Sequence, residues 1–373
     1  MRSLVFLFCL FLAWRADGAE TLRVAVMEDV REVHLAAEED LIISTPSEKR
    51  IGSSRSPALK IGFQKGLTVG QYDTLQEALI FTSRHGGPIQ LNQRPYRGQI
   101  RIQKRAAGLL VINQIDLEQY LLGVVPSEMP PAWPMEALKA QAVISRTYAL
   151  YRKQAHVDQP YDLVASVLGQ VYEGERAVHP RASQAVRETA GQILTYDGEP
   201  ARTFFHSTSA GQTEDATEHW EFSRGEVVPY LTGVSCPLDQ DSPYYQWERT
   251  VTFKTLEAAL QRQGHTMRSV SDLVPIQWSR GGRVLLLRIR HQSGETTIKA
   301  DDLRKAIGFR ELPSTRFTLR AVGEGLLFQG MGYGHGVGLC QWGAGVMARR
   351  GVPFEEILYY YYPGTRLQSY EDI

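Results

Sequence analysis

The chain has 373 residues, with 41 lysines and arginines against 41 aspartates and glutamates, and 43% of its residues are hydrophobic. That length allows two or three domains, and the ordinary apolar content excludes extended disorder. A formal net charge of zero gives no field to steer the protein toward nucleic acid or an anionic surface.

Residues 1–19 read as a secretory signal peptide. Arg2 is the positive end, Leu4 to Ala13 form an apolar run too short to span a bilayer, and Ala16-Asp17-Gly18 offers small residues for cleavage. A buried N-terminal strand is the plainer reading, and the charge and cleavage pattern argue against it. No later run is long and apolar enough for a membrane span. The mature protein is therefore expected to be exported, without a transmembrane segment, and periplasmic or cell-wall associated. Cys9 would leave with the peptide. Cys236 and Cys340 would remain, either paired or as buried small hydrophobes.

Residues 20–104 read as a β-rich region of short strands such as "TLRVAVM" and "LIIST", with a polar loop at 47–60. "GLLVINQIDL" is a strand leading into "DLEQYLLGVVPSEMPPAWPMEALKAQAVISRTYAL". There Glu128 is expected on a proline-stiffened turn directly before an amphipathic helix from about Pro134 to Arg152. Pro134 suits the first helical position and Glu136 the positive helix end. Met135, Leu138, Ala142 and Ala149 fall on one face, much of it small, which favours close packing.

A second helix is predicted at 181–190, then a hairpin turning at Asp197-Gly198. Residues 253–310 look like a separate α/β unit with helices near Leu256–Gln263 and Leu303, and strands "RVLLLRIRHQ" and "ETTIKA" between them. Further on, "GMGYGHGVGLCQWGAG" places glycines at 330, 332, 334, 336 and 338. So many would weaken a plain strand. They mark close approach of the backbone to a ligand or to another element. A helix at 339–350 ends at Gly351, and Pro353 starts a short one. The expected fold class is α+β: a core from 105–252 and 316–373, an inserted small α/β subdomain at 253–315, and the β-rich part at 20–104.

Five stretches, in this order, carry a resemblance: "YLLGVVPSEMP", "EALKAQAVISRTYAL", "GQVYEG", "HSTSAGQTED" and "GHGVGLCQWGAGVMARRGVPFEEILYYYYPGT". Together they resemble the SpoIID/LytB family of cell-wall proteins, between about residues 105 and 368. The resemblance implies peptidoglycan glycan strands as the partner. SpoIID-type members are lytic transglycosylases that prefer strands stripped of stem peptides. LytB-type members are described as modifiers of a partner amidase.

By the same resemblance Glu128, in Ser127-Glu128-Met129-Pro130, stands at the family's catalytic glutamate. A typical glycosidase uses two carboxylates. A transglycosylase can use one, which protonates the glycosidic oxygen and then takes a proton as the sugar's own 6-hydroxyl closes an anhydro ring. Such a group must be partly protonated near neutral pH, and Val125, Met129 and Trp133 could raise its pKa by desolvation. Without the resemblance, an ordinary glutamate near a helix N-terminus is the plainer reading.

The remaining candidates bind substrate. Arg146 would orient substrate or Glu128, or else pair on the helix surface with Glu118 or Glu136. Tyr148 follows on the same helix. Gln170 and Tyr172 would bind sugar hydroxyls and stack on a ring, or serve as core and turn residues. His206, Ser207 and Ser209 suit hydrogen bonding to N-acetyl groups. His335 and Gln341 flank the glycine-rich run, and His335 would bind substrate, orient Glu128 or be structural. Trp342 and Tyr359 to Tyr362 could line a sugar groove. The two motif regions should meet across that groove.

His206, Glu214, Glu218, His219 and Cys236 raise a zinc question. Some family members carry cysteines just after the histidine position. Here Gln212, Glu218 or nearby polar residues stand there, and no CxxC or HxxxH pattern appears. No metal or cofactor is expected, with zinc as the minor alternative. No nucleotide-binding fingerprint occurs. The rival to the enzyme is a non-catalytic wall-binding activator of an N-acetylmuramoyl-L-alanine amidase, and a zinc hydrolase is a third reading.

Overall fold

The computed structural model describes residues 20–55, 58–167, 169–219 and 227–373; the signal-peptide reading and Cys9 lie outside the described residues. The fold is α+β. Residues up to Tyr120 and from Leu121 onward form two compact units.

The first unit is built of antiparallel strands. In one sheet Thr21–Val30, Leu109–Asp116, Gln99–Lys104, Ala78–Ser83, Leu41–Ser44 and Arg50–Ser54 are neighbours in that order. A second sheet runs from Arg94–Tyr96 through Ile89–Leu91, Val33–Ala36 and Leu59–Phe63 to Leu67–Val69 and Tyr72–Asp73. Alternate side chains turn inward, so Leu22, Val24, Leu79, Phe81, Ile100 and Ile102 are fully buried. The segment expected as a loop at 47–60 contains the strand Arg50–Ser54. It pairs on one side with Leu41–Ser44 and no side chain of it is buried, so it needs no apolar alternation.

Strand Leu109–Asp116 leads into helix α1 (Leu117–Glu128). Asp116 caps it, its Oδ1 accepting the Gln119 N–H at 3.0 Å. Leu117, Tyr120, Leu121, Val124 and Val125 are buried, the three–four spacing of an amphipathic helix. The turn expected at Glu128 is thus the end of a helix. Pro126 lies inside its last turn, where the ring breaks only local bonding and the helix stops soon after.

Helix α2 (Met135–Ala155) is buried on every side from Ala137 to Leu150 except at Lys139. It is a central helix rather than the amphipathic one expected. It packs against α3 (Pro180–Glu188), the strand Gln192–Tyr196, α7 (Gln341–Arg349) and α8 (Phe354–Tyr361). Its alanines allow that approach, and its buried polar groups are bonded. Thr147 Oγ1 donates to the Val143 carbonyl and accepts the Leu194 N–H. The predicted hairpin turns at Asp197 and Gly198, both at positive φ, with Tyr196 opposite Glu199.

After the short helix α4 (Ala216–His219), a separate apolar cluster gathers strand Gln246–Thr252, α5 (Phe253–Arg262), strands Asp272–Trp278 and Val284–His291, α6 (Ala300–Ile307) and strands Phe317–Val322 and Gly325–Met331. Leu256, Leu260, Leu287, Leu303 and Phe328 are at its centre. Among the described residues, no helix is long and apolar enough to cross a membrane.

Candidate active site

The glycine-rich run and the histidine segment are held together strand to strand. Phe205–His206 pairs in parallel with Leu339–Cys340, and Thr208 and Tyr333 exchange backbone hydrogen bonds. Two glycines show why the run needs them. Gly334 has φ +107, and a Cβ there would lie 2.6 Å from that of His206. Gly338 has φ +71, and a Cβ would overlap the Phe204 carbonyl oxygen. The close approach read from sequence is therefore to another element of the chain.

A cavity of about 1110 Å³ opens beside this pairing. Ser127, Glu128, Trp133, Tyr148 and Val171 line one side, and Phe204 to Ser207, Tyr333 to His335, Gln341 and Trp342 another. Strand Val284–His291 and helix α6, through Val284 to Leu286, Asp301, Asp302, Arg304 and Lys305, contribute a further wall. The two motif regions thus meet across one space.

Glu128 is the last residue of α1. Its carboxyl keeps partial access to the cavity, while protein crowds the remaining sides, with Val125 three residues before it and Met129 directly after it both buried. Burial pushes its pKa up to about 7. The Val171 N–H, donating to Oε1 at 2.6 Å, acts in the opposite sense and fixes the carboxyl's direction. A helix C-terminus also disfavours a negative charge.

Gln341 ties the two sequence regions. Its Nε2 donates to the Glu128 main-chain carbonyl at 3.0 Å and to Gln141 Oε1 at 3.1 Å. The Tyr148 hydroxyl is held protonated, its pKa raised by burial and further by the negative charge of Glu128. It is thus a donor inside the cavity. His335 Nδ1 accepts the Val337 N–H at 3.1 Å, so in the neutral ring Nε2 carries the proton. The His206 ring lies 5.7 Å from it, with Nδ1 against the Val337 carbonyl. Trp133 and Trp342 meet edge to face at 5.2 Å and present apolar surface to the cavity.

Of the residues expected to touch substrate, Glu128, Tyr148, His206, Ser207, His335, Gln341 and Trp342 line the cavity, and the others lie elsewhere. Arg146, on α2, is fully buried rather than on the helix surface, and donates to the Gln192 and Val186 carbonyls. Gln170 is buried against the Ser145 carbonyl, and Tyr172 packs on Gly123. The Ser209 hydroxyl donates to Asp239. Tyr361 and Tyr362 are core residues, and Tyr359 and Tyr360 are exposed outside the cavity.

Among the described residues, His206, Glu214 and Glu218 do not gather into one ligand set. Gln212 is exposed, Glu214 is buried with Arg283 and Glu218 pairs with Arg280. The His219 side chain lies outside the described set. Sequence reasoning missed the wall from Gln277, Val284 to Leu286 and α6. Nothing in those residues forms a motif, and only the tertiary fold brings them to the cavity.

The family described as "Stage II sporulation protein" (SpoIID) matches residues 105–196, and a domain of unknown function matches 229–338. An uncharacterized protein of Brachyspira hyodysenteriae is 32% identical over 309 residues, covering 83% of this chain and 81% of that protein. Stage II sporulation protein D of Bacillus subtilis is 32% identical over 69% of this chain and 76% of its own length. The amidase enhancer of Bacillus subtilis is 28% identical over 67% of this chain and 40% of its own length.

Proposed function

The chain belongs to the SpoIID/LytB family, and from that premise we propose that it is an exported lytic transglycosylase cleaving peptidoglycan glycan strands with Glu128 as its single acid and base. One observation carries the reading: a carboxyl pushed to a pKa of about 7 on the wall of a cavity of about 1110 Å³. At neutral pH such a group is populated in both protonation states, as a group that first gives and then takes a proton requires.

In the reaction the protonated carboxyl of Glu128 donates to the glycosidic oxygen as the bond from C1 to that oxygen breaks. The leaving sugar departs with a hydroxyl, and positive charge develops at C1. The 6-hydroxyl oxygen of the same sugar bonds to C1 while its proton passes to the Glu128 carboxylate. The acid is regenerated and the product end is a 1,6-anhydro sugar, with no water consumed. Val171 N–H holds one carboxyl oxygen and leaves the other for the proton. The Tyr148 hydroxyl and the His335 Nε2–H are donors for substrate oxygens, and Trp133 and Trp342 offer faces and edges for sugar rings.

A second reading rests on the amidase enhancer among the relatives. In it the cavity binds glycan without cleaving it, and the protein activates a cell-wall amidase. Incubation with purified glycan strands, with and without stem peptides, separates the two. Anhydro-ended fragments support the enzyme, and binding without cleavage, with stimulation of an added amidase, supports the activator.

A further inference from the structure

We infer that Cys236, Cys340 and Asp239 form a closed site for a thiophilic divalent metal ion of the zinc class. The three residues are completely buried, and their ligand atoms all lie within 4.8 Å of one another. Around a tetrahedral zinc ion two thiolate sulfurs stand about 3.8 Å apart, so only a small contraction would close the set.

The carboxylate argues for the ion. Asp239 Oδ2 accepts the Ala210 N–H at 2.7 Å, the Ser209 hydroxyl at 2.9 Å and the Cys340 thiol at 3.4 Å. Its Oδ1 is buried with no hydrogen-bond partner. A buried carboxylate oxygen left unsatisfied is costly, and a cation held with the two sulfurs removes that cost. A disulfide between the cysteines would leave the oxygen as it is. Ser209 and Ala210 meanwhile fix the carboxylate's orientation, as outer partners of metal ligands do.

The surroundings suit thiolates. Cys340 caps the N-terminus of α7, and the Gly343 N–H points at its Sγ at 3.4 Å. Gly343 also leaves the room: a Cβ there would lie 2.5 Å from Cys236 Sγ. The Tyr361 hydroxyl, 3.2 Å from Cys236 Sγ, is the adjacent group for a fourth position. Cys236 and Cys340 are 104 residues apart in the chain, so the ion would clamp the segment after Ser235 to the first turn of α7. That turn carries Gln341 and Trp342 into the cavity. The role is structural and independent of the glycan chemistry.

The test is elemental analysis of the chain without residues 1–19, whose cysteines are Cys236 and Cys340, after zinc reconstitution and desalting, with thiols counted after denaturation. The expected result is one zinc per chain, released on denaturation together with two reactive thiols. Cobalt in place of zinc should give thiolate-to-metal charge-transfer absorption, lost in Cys236→Ser. A wild-type chain that holds no zinc but yields two free thiols overturns the site. So does a chain two hydrogens light with no reactive thiol, which would be a disulfide. Both outcomes are read on wild type and stand even if the variant does not fold.

Discussion

The Gln341 side-chain amide donates to the main-chain carbonyl of Glu128 at 3.0 Å, across 213 residues of sequence. The same nitrogen reaches Gln141 Oε1 at 3.1 Å. Glu128 ends α1, Gln141 lies in α2 and Gln341 opens α7, so one amide locks three helices around the cavity. The position of the carboxyl thus depends on a residue that touches it only through the backbone.

Gln341→Ala should therefore act on both stability and turnover. It leaves the Glu128 carbonyl and the Gln141 amide oxygen without this donor, a loss of about 1–3 kcal/mol when buried. Thermal or urea unfolding should report that loss. With glycan as substrate, kcat should fall more than KM rises, because the change loosens the carboxyl rather than removing a binding group.

The pH dependence follows from Glu128. The acid form starts the reaction, and its pKa is about 7. In a profile of kcat/KM against pH, activity should fall about tenfold per pH unit well above 7. A profile flat to pH 9 would show that Glu128 does not deliver the proton.

Stability should vary with pH in the matching sense. Because the folded pKa of Glu128 lies above its ordinary 4.5, the folded state holds the proton between those values and the unfolded state does not. The contribution is fully present below pH 4.5 and is lost as pH rises to about 7. The rise from 4.5 to about 7 corresponds to on the order of 3 kcal/mol. Glu128→Gln, which still accepts the Val171 N–H, should therefore equal wild type in denaturant melts at pH 4 and exceed it at pH 8.

Gly338→Ala tests the packing of the glycine-rich run. Its φ of +71 strains any other residue, and the added Cβ would collide with the Phe204 carbonyl oxygen. Loss of several kcal/mol is expected, seen as a large fall in melting temperature. Gly351→Ala, at φ +83 with nothing within 4 Å of the new Cβ, should cost much less.

Much of this architecture was legible in the chain. The alternation in "LIIST", the turn at Asp197-Gly198 and the glycines at 334 and 338 each state a local physical requirement, and the fold meets it. Helix α1 was harder to see because Pro126 reads as a breaker, although Leu117, Tyr120, Leu121, Val124 and Val125 already carry the helical spacing. Arg146 looked like a ligand because arginine suits anions and carbonyl-rich partners. It does donate to carbonyls, but to those of the Val186 and Gln192 backbone. The convergence of Cys236 with Cys340, and of α6 with the cavity, depends on long-range topology that no local pattern encodes.

The most direct measurement of the central claim is product analysis by mass spectrometry after incubating glycan strands with wild type and with Glu128→Gln. The account predicts 1,6-anhydro-ended fragments from wild type and at least a hundredfold fewer from the variant, the usual scale of a lost general acid. Equal release of anhydro ends by the variant would contradict it, and so would reducing-end products from wild type, which would mean hydrolysis by water.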